Sequence, residues 1–455
     1  MIILLLRALF KEAKIMIKVC KFGGTSLADS SQYKKVKSII DKDSSRRVIV
    51  VSAPGKRNKS DYKITDLLYL TESHIKYHVD YNTIFNQIKD RFYEIKNSLN
   101  LDIDLDKEFE KMKVKMDDGS MSEEELVSRG EYLSAKCMAS YLGYTFIDAK
   151  NIIHFMYDGR VDEDKTQEAI ENMIRTFDKV VVPGFYGVYP NGEICLFSRG
   201  GSDVTGSYLA KGVHADLYEN WTDVSGIFMT DPKIIPNCRK INEVTYAELR
   251  ELSYLGASVL HEETILPIQE ENIPLEIKNT NSPDEPGTFI MKDCVDKTYL
   301  CTGITGKKNF VSLTFTKRRL ADKLKVMLFV FKILDKYKID VEHVPTSIDS
   351  FSIVVNKNDL EGKFYEMIAE IKQNPDIINV KVDEDIALIG VVGRNMANKA
   401  GTSGRILSVF GKEKINIKLI DQSTEELNII IGISNQDFNK SIEVLYNKFA
   451  FEKID

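Results

Sequence analysis

The chain contains no Cys-x-x-Cys pair; its six cysteines, at 20, 137, 195, 238, 294 and 301, are scattered. That spacing supplies neither a disulfide framework nor a zinc ribbon, and a reducing cytoplasm is the expected compartment. A surplus of one charge is lacking as well. With 62 basic and 68 acidic residues the net charge is −6, the two signs interspersed, so there is no basic footprint for nucleic acid and the expected partners are small molecules. The apolar run Ile2-Ile3-Leu4-Leu5-Leu6 is too short to span a membrane, and no small-residue cleavage site precedes the strand that begins after Met16. Residues 1 to 15 are therefore expected to be a weakly ordered extension rather than a leader or an anchor.

What is present begins just after that extension. An apolar strand, Ile17-Lys18-Val19-Cys20, runs into Lys21-Phe22-Gly23-Gly24-Thr25-Ser26. Two glycines bring bare backbone up to an anion and a lysine adds a point charge beside it, so this turn is the first candidate phosphate site. It has neither the G-x-x-x-x-G-K-[ST] pattern nor the G-x-G-x-x-G pattern. An ordinary turn from strand to helix is the alternative reading.

At 455 residues the chain has room for about two to four domains. Ser31 to Asp41 reads as a helix and Arg47 to Ser52 as an apolar strand, which together with the first strand predicts a parallel α/β sheet. Runs of the same type recur at 179–182 and 193–197. Residues 62 to 142 have helical periodicity and form a predicted helical layer. His74 and His78 lie four apart in it, but no Glu follows the first and no third ligand is near, so a solvated helix face is expected rather than a metal site.

From about residue 296 the pattern changes. A shift of 76 positions superposes Phe331-Lys332-Ile333-Leu334 on Leu407-Ser408-Val409-Phe410, Lys338-Ile339-Asp340-Val341 on Lys414-Ile415-Asn416-Ile417, and Phe351-Ser352-Ile353 on Leu427-Asn428-Ile429. One offset across three segments predicts a tandem repeat, each unit reading strand, helix, strand, strand. Such small modules usually bind a ligand or each other.

Three further segments carry candidate chemistry. Ser198-Arg199-Gly200-Gly201-Ser202-Asp203 follows a strand and opens a helix, aiming backbone donors at whatever sits there, with Arg199 able to grip a carboxylate and Asp203 able to orient Lys21. A capped helix start explains the Ser and Asp but not the Arg before paired glycines. Ser128-Arg129-Gly130-Glu131 puts a carboxylate on an apolar helix face; by itself it reads as a solvated Glu. Trp221 to Pro232, WTDVSGIFMTDP, joins a strand end, an Asx-prone turn and an aromatic, a set suited to adenine or ribose, although a plain loop explains the Gly and Pro equally well.

Together with Gly256-Ala257-Ser258-Val259-Leu260-His261 and Lys278-Asn279-Thr280, these segments resemble the aspartate kinases of the amino-acid kinase family, in the family's order, over about residues 16 to 455. The resemblance implies an amino-acid-kinase-type three-layer α/β sandwich over 16–295 with a mainly parallel central sheet. Two βαββ, ferredoxin-like ACT modules would follow at 296–384 and 385–455, a strand at about 299–304 joining the second. It implies ATP-dependent phosphorylation of the β-carboxylate of aspartate, with Mg2+ held mainly by the phosphates and no metal ligand from the protein. Lys21, Gly23, Gly24 and Ser26 would face the phosphates, and Thr65, Glu131, Phe185, Arg199 and Ser202 would surround aspartate. Asp203 would organise the cationic groups, and Thr222, Asp223, Phe228, Asp231 and Lys233 would line the nucleotide, with Ser258 and Val259 beside it. Ser198 stands where relatives often have Gly, Ser258 where they have Lys, and Phe228 where many have Tyr. The ACT modules imply feedback by lysine or threonine at Asp340, Val341, Glu342, Ser347, Ile348 and Asp349, and a homodimer or tetramer built through those modules.

The β-carboxylate acceptor is already an anion at neutral pH, so no general base is needed. The task is to bring two anions together, which explains a site rich in Gly, Lys and Arg without a catalytic His. Two other readings remain at this stage, another acid, carbamate or nucleotide kinase on the same fold and a non-catalytic amino-acid sensor. No dinucleotide-binding unit follows the second module, so a fused homoserine dehydrogenase is not expected.

Overall fold

A computed structural model describes residues 16–198, 200–256, 260, 264–318 and 321–454. The predicted extension 1–15, Arg199, Ser258 and Val259 lie outside them. The chain divides into two compact units, one of residues up to Ile227 with Asn242–Tyr246 and Leu260–Cys294, the other of Phe228–Ile241, Ala247–Val259 and Val295 onwards.

The described residues of the first unit form ten strands: β1 Lys18–Phe22, β2 Arg46–Val51, β3 Thr145–Phe146, β4 Val180–Pro183, β5 Tyr186–Val188, β6 Ile194–Leu196, β7 Leu217–Thr222, β8 Glu243–Thr245, β9 Leu275–Asn279 and β10 Thr288–Met291. Eight of them form one sheet in the order β3-β4-β2-β1-β7-β9-β10-β8, parallel throughout except between β9 and β10. The run at 193–197 departs from expectation. It forms β6, which pairs antiparallel with β5 in a separate two-stranded sheet. Tyr189-Pro190-Asn191-Gly192 turns the chain back on itself there, with Gly192 at φ 89°, so a hairpin forms where a crossover would be needed to rejoin the sheet.

The helices of this unit are α1 Ser30–Asp41, α2 Ile64–Lys76, α3 Asn82–Leu99, α4 Leu105–Asp117, α5 Glu123–Leu142, α6 Glu163–Thr176 and α7 Gly201–Gly212. The first residue of α8, Tyr246–Tyr254, and α9, Leu266–Glu270, also belong here. Residues 62 to 142 do form the predicted helical layer. Phe85, Ile88, Phe92, Phe109 and Met112 of α3 and α4 share one apolar cluster with Cys20 and Phe22 of β1 and Ile49 and Val51 of β2. Helix α5 starts with an N-cap, Ser122 Oγ accepting from Glu125 N at 3.1 Å, and stops at Gly143, φ 70°. His78 is not on a helix face: α2 ends at Lys76, His78 has φ 55°, and His74 Nδ1 sits 2.8 Å from the Asp80 carbonyl.

Because side chains alternate along a strand, Cys20 and Phe22 face the α1–α5 layer while Val19 and Lys21 face the other way, towards α7. On β7, Asn220 is paired in register with Lys21.

The second unit contains the rest of α8, then β11 Gly303–Lys317, α10 Lys323–Lys336, β12 Ser350–Asn356, α11 Phe364–Ile371, β13 Ile377–Val392, α12 Thr402–Lys412, β14 Leu419–Asp421, β15 Asn428–Ile433 and α13 Phe438–Phe449. Its sheet runs β12-β11-β13-β15-β14. The repeat seen in the sequence is therefore fused into one sheet. Residues 310–317 of β11 pair with β12 and the first half of β13, whereas 303–307 pair with 388–392. Each repeat also carries a helix beyond the strand, helix, strand, strand pattern, α11 in the first and α13 in the second. In the first repeat the expected second strand is reduced to two isolated bridges, His343 to Val354 and Thr346 to Phe351.

Helix α8 is pinned within this unit. The fully buried Glu248 binds Arg394 Nη1 at 2.9 Å and Thr302 Oγ1 at 2.5 Å. Gly303 and Gly390 leave flat spots into which Leu252 and Leu255 press. Gly306 serves the seam between β11 and β13: a Cβ there would stand 2.4 Å from the Leu388 carbonyl oxygen. Because the obstacle is backbone, Gly306→Ala is expected to cost about 1–3 kcal/mol. A urea titration following the second unit's transition measures it; an unchanged midpoint contradicts the seam.

Candidate functional site

The first glycine turn follows β1 as a single 3-10 turn, Gly24–Leu27. Its start is tied to β7 by Gly23 N donating to the Trp221 carbonyl at 3.0 Å. The two glycines do different work. A Cβ on Gly23 would meet only Lys21 Nζ and the Trp221 carbonyl oxygen, both at 3.6 Å, so packing alone does not require glycine there. A Cβ on Gly24 would lie 2.9 Å from the Ala53 carbonyl oxygen, because the turn after β2 packs backbone to backbone against it, Gly55 N donating to Gly24 O at 2.8 Å. Ser26, expected to face the phosphates, is turned inward: it is 1% exposed and its Oγ lies 2.7 Å from Thr280 Oγ1. The exposed hydroxyl of the turn is Thr25.

Lys21 is buried and makes an ion pair with Asp203 Oδ1 at 2.6 Å. Asp203 sits in the first turn of α7, and Asn220 Nδ2 donates to the same carboxylate oxygen at 2.8 Å. Asn220 escaped the sequence reading, although its place one residue before Trp221 puts it on the Lys21 side of β7. Its Oδ1 is buried without a partner among the described residues.

Helix α7 begins as the sequence predicts, and the paired glycines have a packing cause. Gly200 takes the left-handed region at φ 56°, and a Cβ on Gly201 would lie 2.6 Å from the Phe185 ring. Phe185 is itself left-handed at φ 81°, a strained conformation for a bulky residue. It is held there by Thr205 Oγ1, which accepts from Phe185 N at 3.1 Å.

Lys21, Ser52, Thr65, Glu131, Phe185, Ser202 and Asp203 line one pocket of about 210 Å³ with Gly200 and Gly201. Every predicted acceptor-side residue among those described is thus brought together, from four separate stretches of chain. Glu131 is not the solvated carboxylate that its helix suggested. It is 5% exposed, because Gly130 beside it packs against Ala53, Leu68 and Ile64 and draws α5 onto α2. Burial pushes its carboxyl up to about 7, opposed by backbone hydrogen bonding at Ala53. Its Oε2 has no partner among the described residues. A buried carboxyl with an open oxygen, in a pocket whose lysine is already paired, is complementary to a ligand cation such as an ammonium group.

The predicted nucleotide residues fall in both units. Thr222 ends β7 and Asp223 follows it exposed, their side chains joined at 3.2 Å. In the second unit Phe228 is half-buried, Lys233 is exposed, and Asp231 Oδ1 accepts from Lys233 N at 2.9 Å, the predicted Asx turn. Trp221 offers no face to a ligand. It is 1% exposed, stacked on Phe22 at 5.9 Å, with Nε1 bound to the buried Glu219 at 2.9 Å.

In the second unit, Asp340, Val341 and Glu342 run beside β12, with Glu342 N donating to Val354 O at 2.9 Å, and Ser347, Ile348 and Asp349 form the exposed bend before it. Lys323 Nζ holds the Ser347 carbonyl at 2.8 Å. His343, next in chain, is buried with Nδ1 2.6 Å from Asp421 of β14, which ties the first repeat's loop to the second repeat. The second repeat has its own hollow, about 580 Å³, between the start of α12 and residues 422–426. Among the described residues no helix is long and apolar enough to cross a membrane.

The pattern of the amino acid kinase family matches residues 16–279 and that of the ACT domain residues 389–449. The chain is 31% identical to aspartokinase 3 of Bacillus subtilis over 447 residues, which is 95% of this chain and 98% of that one. It is similar to the crystal structure of Clostridium acetobutylicum aspartate kinase, with a TM-score of 0.88 and 45% identity over 96% of this chain and 99% of that one. The fold is shared with E. coli aspartokinase III in complex with lysine and aspartate, TM-score 0.76 and 24% identity over 95% and 99% of the two chains.

An ammonium-bearing ligand meets Glu131 only as a carboxylate. Its apparent affinity is therefore expected to fall about tenfold per pH unit below 7 and to level off above. The free protein behaves oppositely: its Glu131 holds a proton more tightly than the unfolded chain does, so stability declines by up to about 3 kcal/mol as pH rises from 4.5 through 7. Glu131→Gln should remove both dependences; pH profiles of KM and of the urea midpoint measure them.

Proposed function

The chain belongs to the amino acid kinase family and within it to the aspartokinases, and from that premise we propose that it transfers the γ-phosphoryl group of ATP to the β-carboxylate of L-aspartate. The product is 4-phospho-L-aspartate, which opens the route to lysine, threonine and methionine. The observation that carries this reading is the pocket lined both by Lys21, paired with Asp203, and by Glu131, whose Oε2 has no partner among the described residues. A substrate that is a zwitterion with an extra carboxylate fits such a pocket: its ammonium group complements Glu131, while Arg199, Thr65, Ser202 and the start of α7 take its carboxylates.

Lys21 would stand between donor and acceptor and offset their repulsion, with Asp203 and Asn220 holding it in place. Gly23, Gly24 and Thr25 would carry the β- and γ-phosphates, and Thr222 and Asp223 would contribute to holding the rest of the nucleotide. Mg2+ would ride on the phosphates and screen their charge, with Asp203 Oδ1 engaged by Lys21 and Asn220. The strained Phe185 closes one wall and would keep water from the acyl phosphate.

The second unit would provide feedback. Asp340, Glu342 and Asp349 would take the ammonium groups of an end-product amino acid, lysine or threonine. Leu324 and Leu328, exposed one helical turn apart on α10, would contribute to the face by which two copies associate into a dimer, or a tetramer of such pairs. A cytoplasmic location accords with free, buried cysteines at 20, 137, 195, 238 and 301.

Aspartate, ATP and hydroxylamine should give aspartyl hydroxamate with the wild-type protein. Lys21→Ala should lower kcat by about 10² or more in the protein that remains folded, and should also lower the melting temperature, since Asp203 loses its cation. Full turnover in that variant removes Lys21 from the reaction, and no hydroxamate from the wild type rejects the assignment. In the same assay lysine should inhibit, and Glu342→Gln should raise its half-inhibiting concentration about tenfold without changing uninhibited turnover. Inhibition by threonine alone would reassign the loop.

A further inference from the structure

Arg91 lies in the middle of α3, away from every pocket residue, and its guanidinium is 4% exposed. A buried guanidinium must be met by acceptors, and the ones it meets are informative. Its Nη1 donates to two main-chain carbonyls, Ala28 at 3.1 Å and Gly55 at 3.0 Å. Its Nη2 binds the Asp61 carboxylate and reaches the Tyr62 carbonyl at 3.4 Å. Ala28 closes the 3-10 turn that carries Gly23 to Ser26. Gly55 ends the turn after β2, whose next anchor, Ile64 N on the Pro54 carbonyl at 3.1 Å, sets the start of α2 and so the position of Thr65. These two segments already touch through Gly55 N and Gly24 O. A single planar fork therefore grips the donor-side turn and the acceptor-side turn at once.

Resting on the kinase reading above, we propose that Arg91 is a positioning residue, fixing the phosphate-facing turn against the loop that presents the acceptor-side residues. Each carbonyl it holds fixes the plane of its peptide, and with it the aim of the neighbouring N–H. Asp61 sets the fork's orientation and is itself held by Arg57, whose Nε donates to it at 3.0 Å while Nη1 reaches Glu94 at 2.7 Å. Lysine would keep the charge but not the fork, since one ammonium cannot reproduce the fixed pair of N–H directions that reach both carbonyls and the carboxylate. Misplacement of such turns by an ångström is enough to cost a reaction about 100-fold. A buried arginine that only stabilises the helical layer is the competing account.

The test uses the full-length protein and three variants, Arg91→Lys, Asp61→Asn and Phe92→Leu, the last a core change next to Arg91 that removes none of its hydrogen bonds. Phe92→Leu should lower the melting temperature and leave both KM values unchanged. Arg91→Lys should raise KM for ATP and for aspartate about tenfold each, beyond anything its melting temperature accounts for, and Asp61→Asn should shift both the same way by a smaller factor. Unchanged KM values in Arg91→Lys and Asp61→Asn, with lowered melting temperatures, overturn the proposal. If Arg91→Lys does not fold, Asp61→Asn decides by the same criterion. If the wild type makes no aspartyl hydroxamate, the kinase reading fails separately, and calorimetric titration with Mg-ATP decides: weakened binding in Arg91→Lys or Asp61→Asn supports the brace and unchanged binding rejects it.

Discussion

A lysine taken out of water must be met by an anion, and that requirement organises the first unit. Lys21 is buried on a central strand, so its partner has to arrive from the covering layer, and the first turn of α7 delivers Asp203. For that turn to come close enough, Gly201 must lack a side chain against Phe185, and Gly184 one against Ser202. Phe185 is strained in consequence and Thr205 is recruited to hold it. On the opposite face of the same strands a second charged group is buried, Glu219, met by Arg46 at 2.8 Å and by the Trp221 indole. The arginine more than compensates for burial and holds the Glu219 carboxyl below the usual range. The charge of Glu219 is thus satisfied within the protein, whereas Glu131 of α5 and Asn220 of β7 each keep a buried oxygen with no partner among the described residues. That asymmetry separates a structural ion cluster from a site awaiting a ligand.

Much of this was legible in the sequence because glycine and charge leave sharp marks. The strands around 18–22, 46–51 and 180–183, the helix after Gly200 and the Lys21 and Asp203 partnership could all be read from local pattern. The burial of Glu131 could not, since it depends on Gly130 meeting Ala53, a contact across more than seventy residues. The inward turn of the Ser26 hydroxyl leaves no local mark for a similar reason: its partner, Thr280, lies far along the chain. Arg91 carried no local signal at all; mid-helix arginines are ordinary, and only the meeting of two distant carbonyls distinguishes it. The 193–197 run shows the limit of hydrophobicity as a guide, because it specifies a strand but not which strand it pairs with.

In the second unit the repeat was visible from a constant offset, but its fusion was not. Periodicity reports that two similar units exist; it does not say that β11 and β13 run unbroken through both. The anchoring of α8 by Glu248, Leu252 and Leu255 is likewise a matter of three-dimensional packing, and the division of the chain into units falls inside that helix.

Continuous strands have a further effect on how this unit can be assembled and altered. Slipping β11 by one residue against β13 would turn the inward-facing side chains of both repeats outward together, so an alignment error in either half is penalised twice over. The two copies of an ancestral segment have in this way lost their independence: neither can be excised, exchanged or refolded by itself without severing a strand that the other needs.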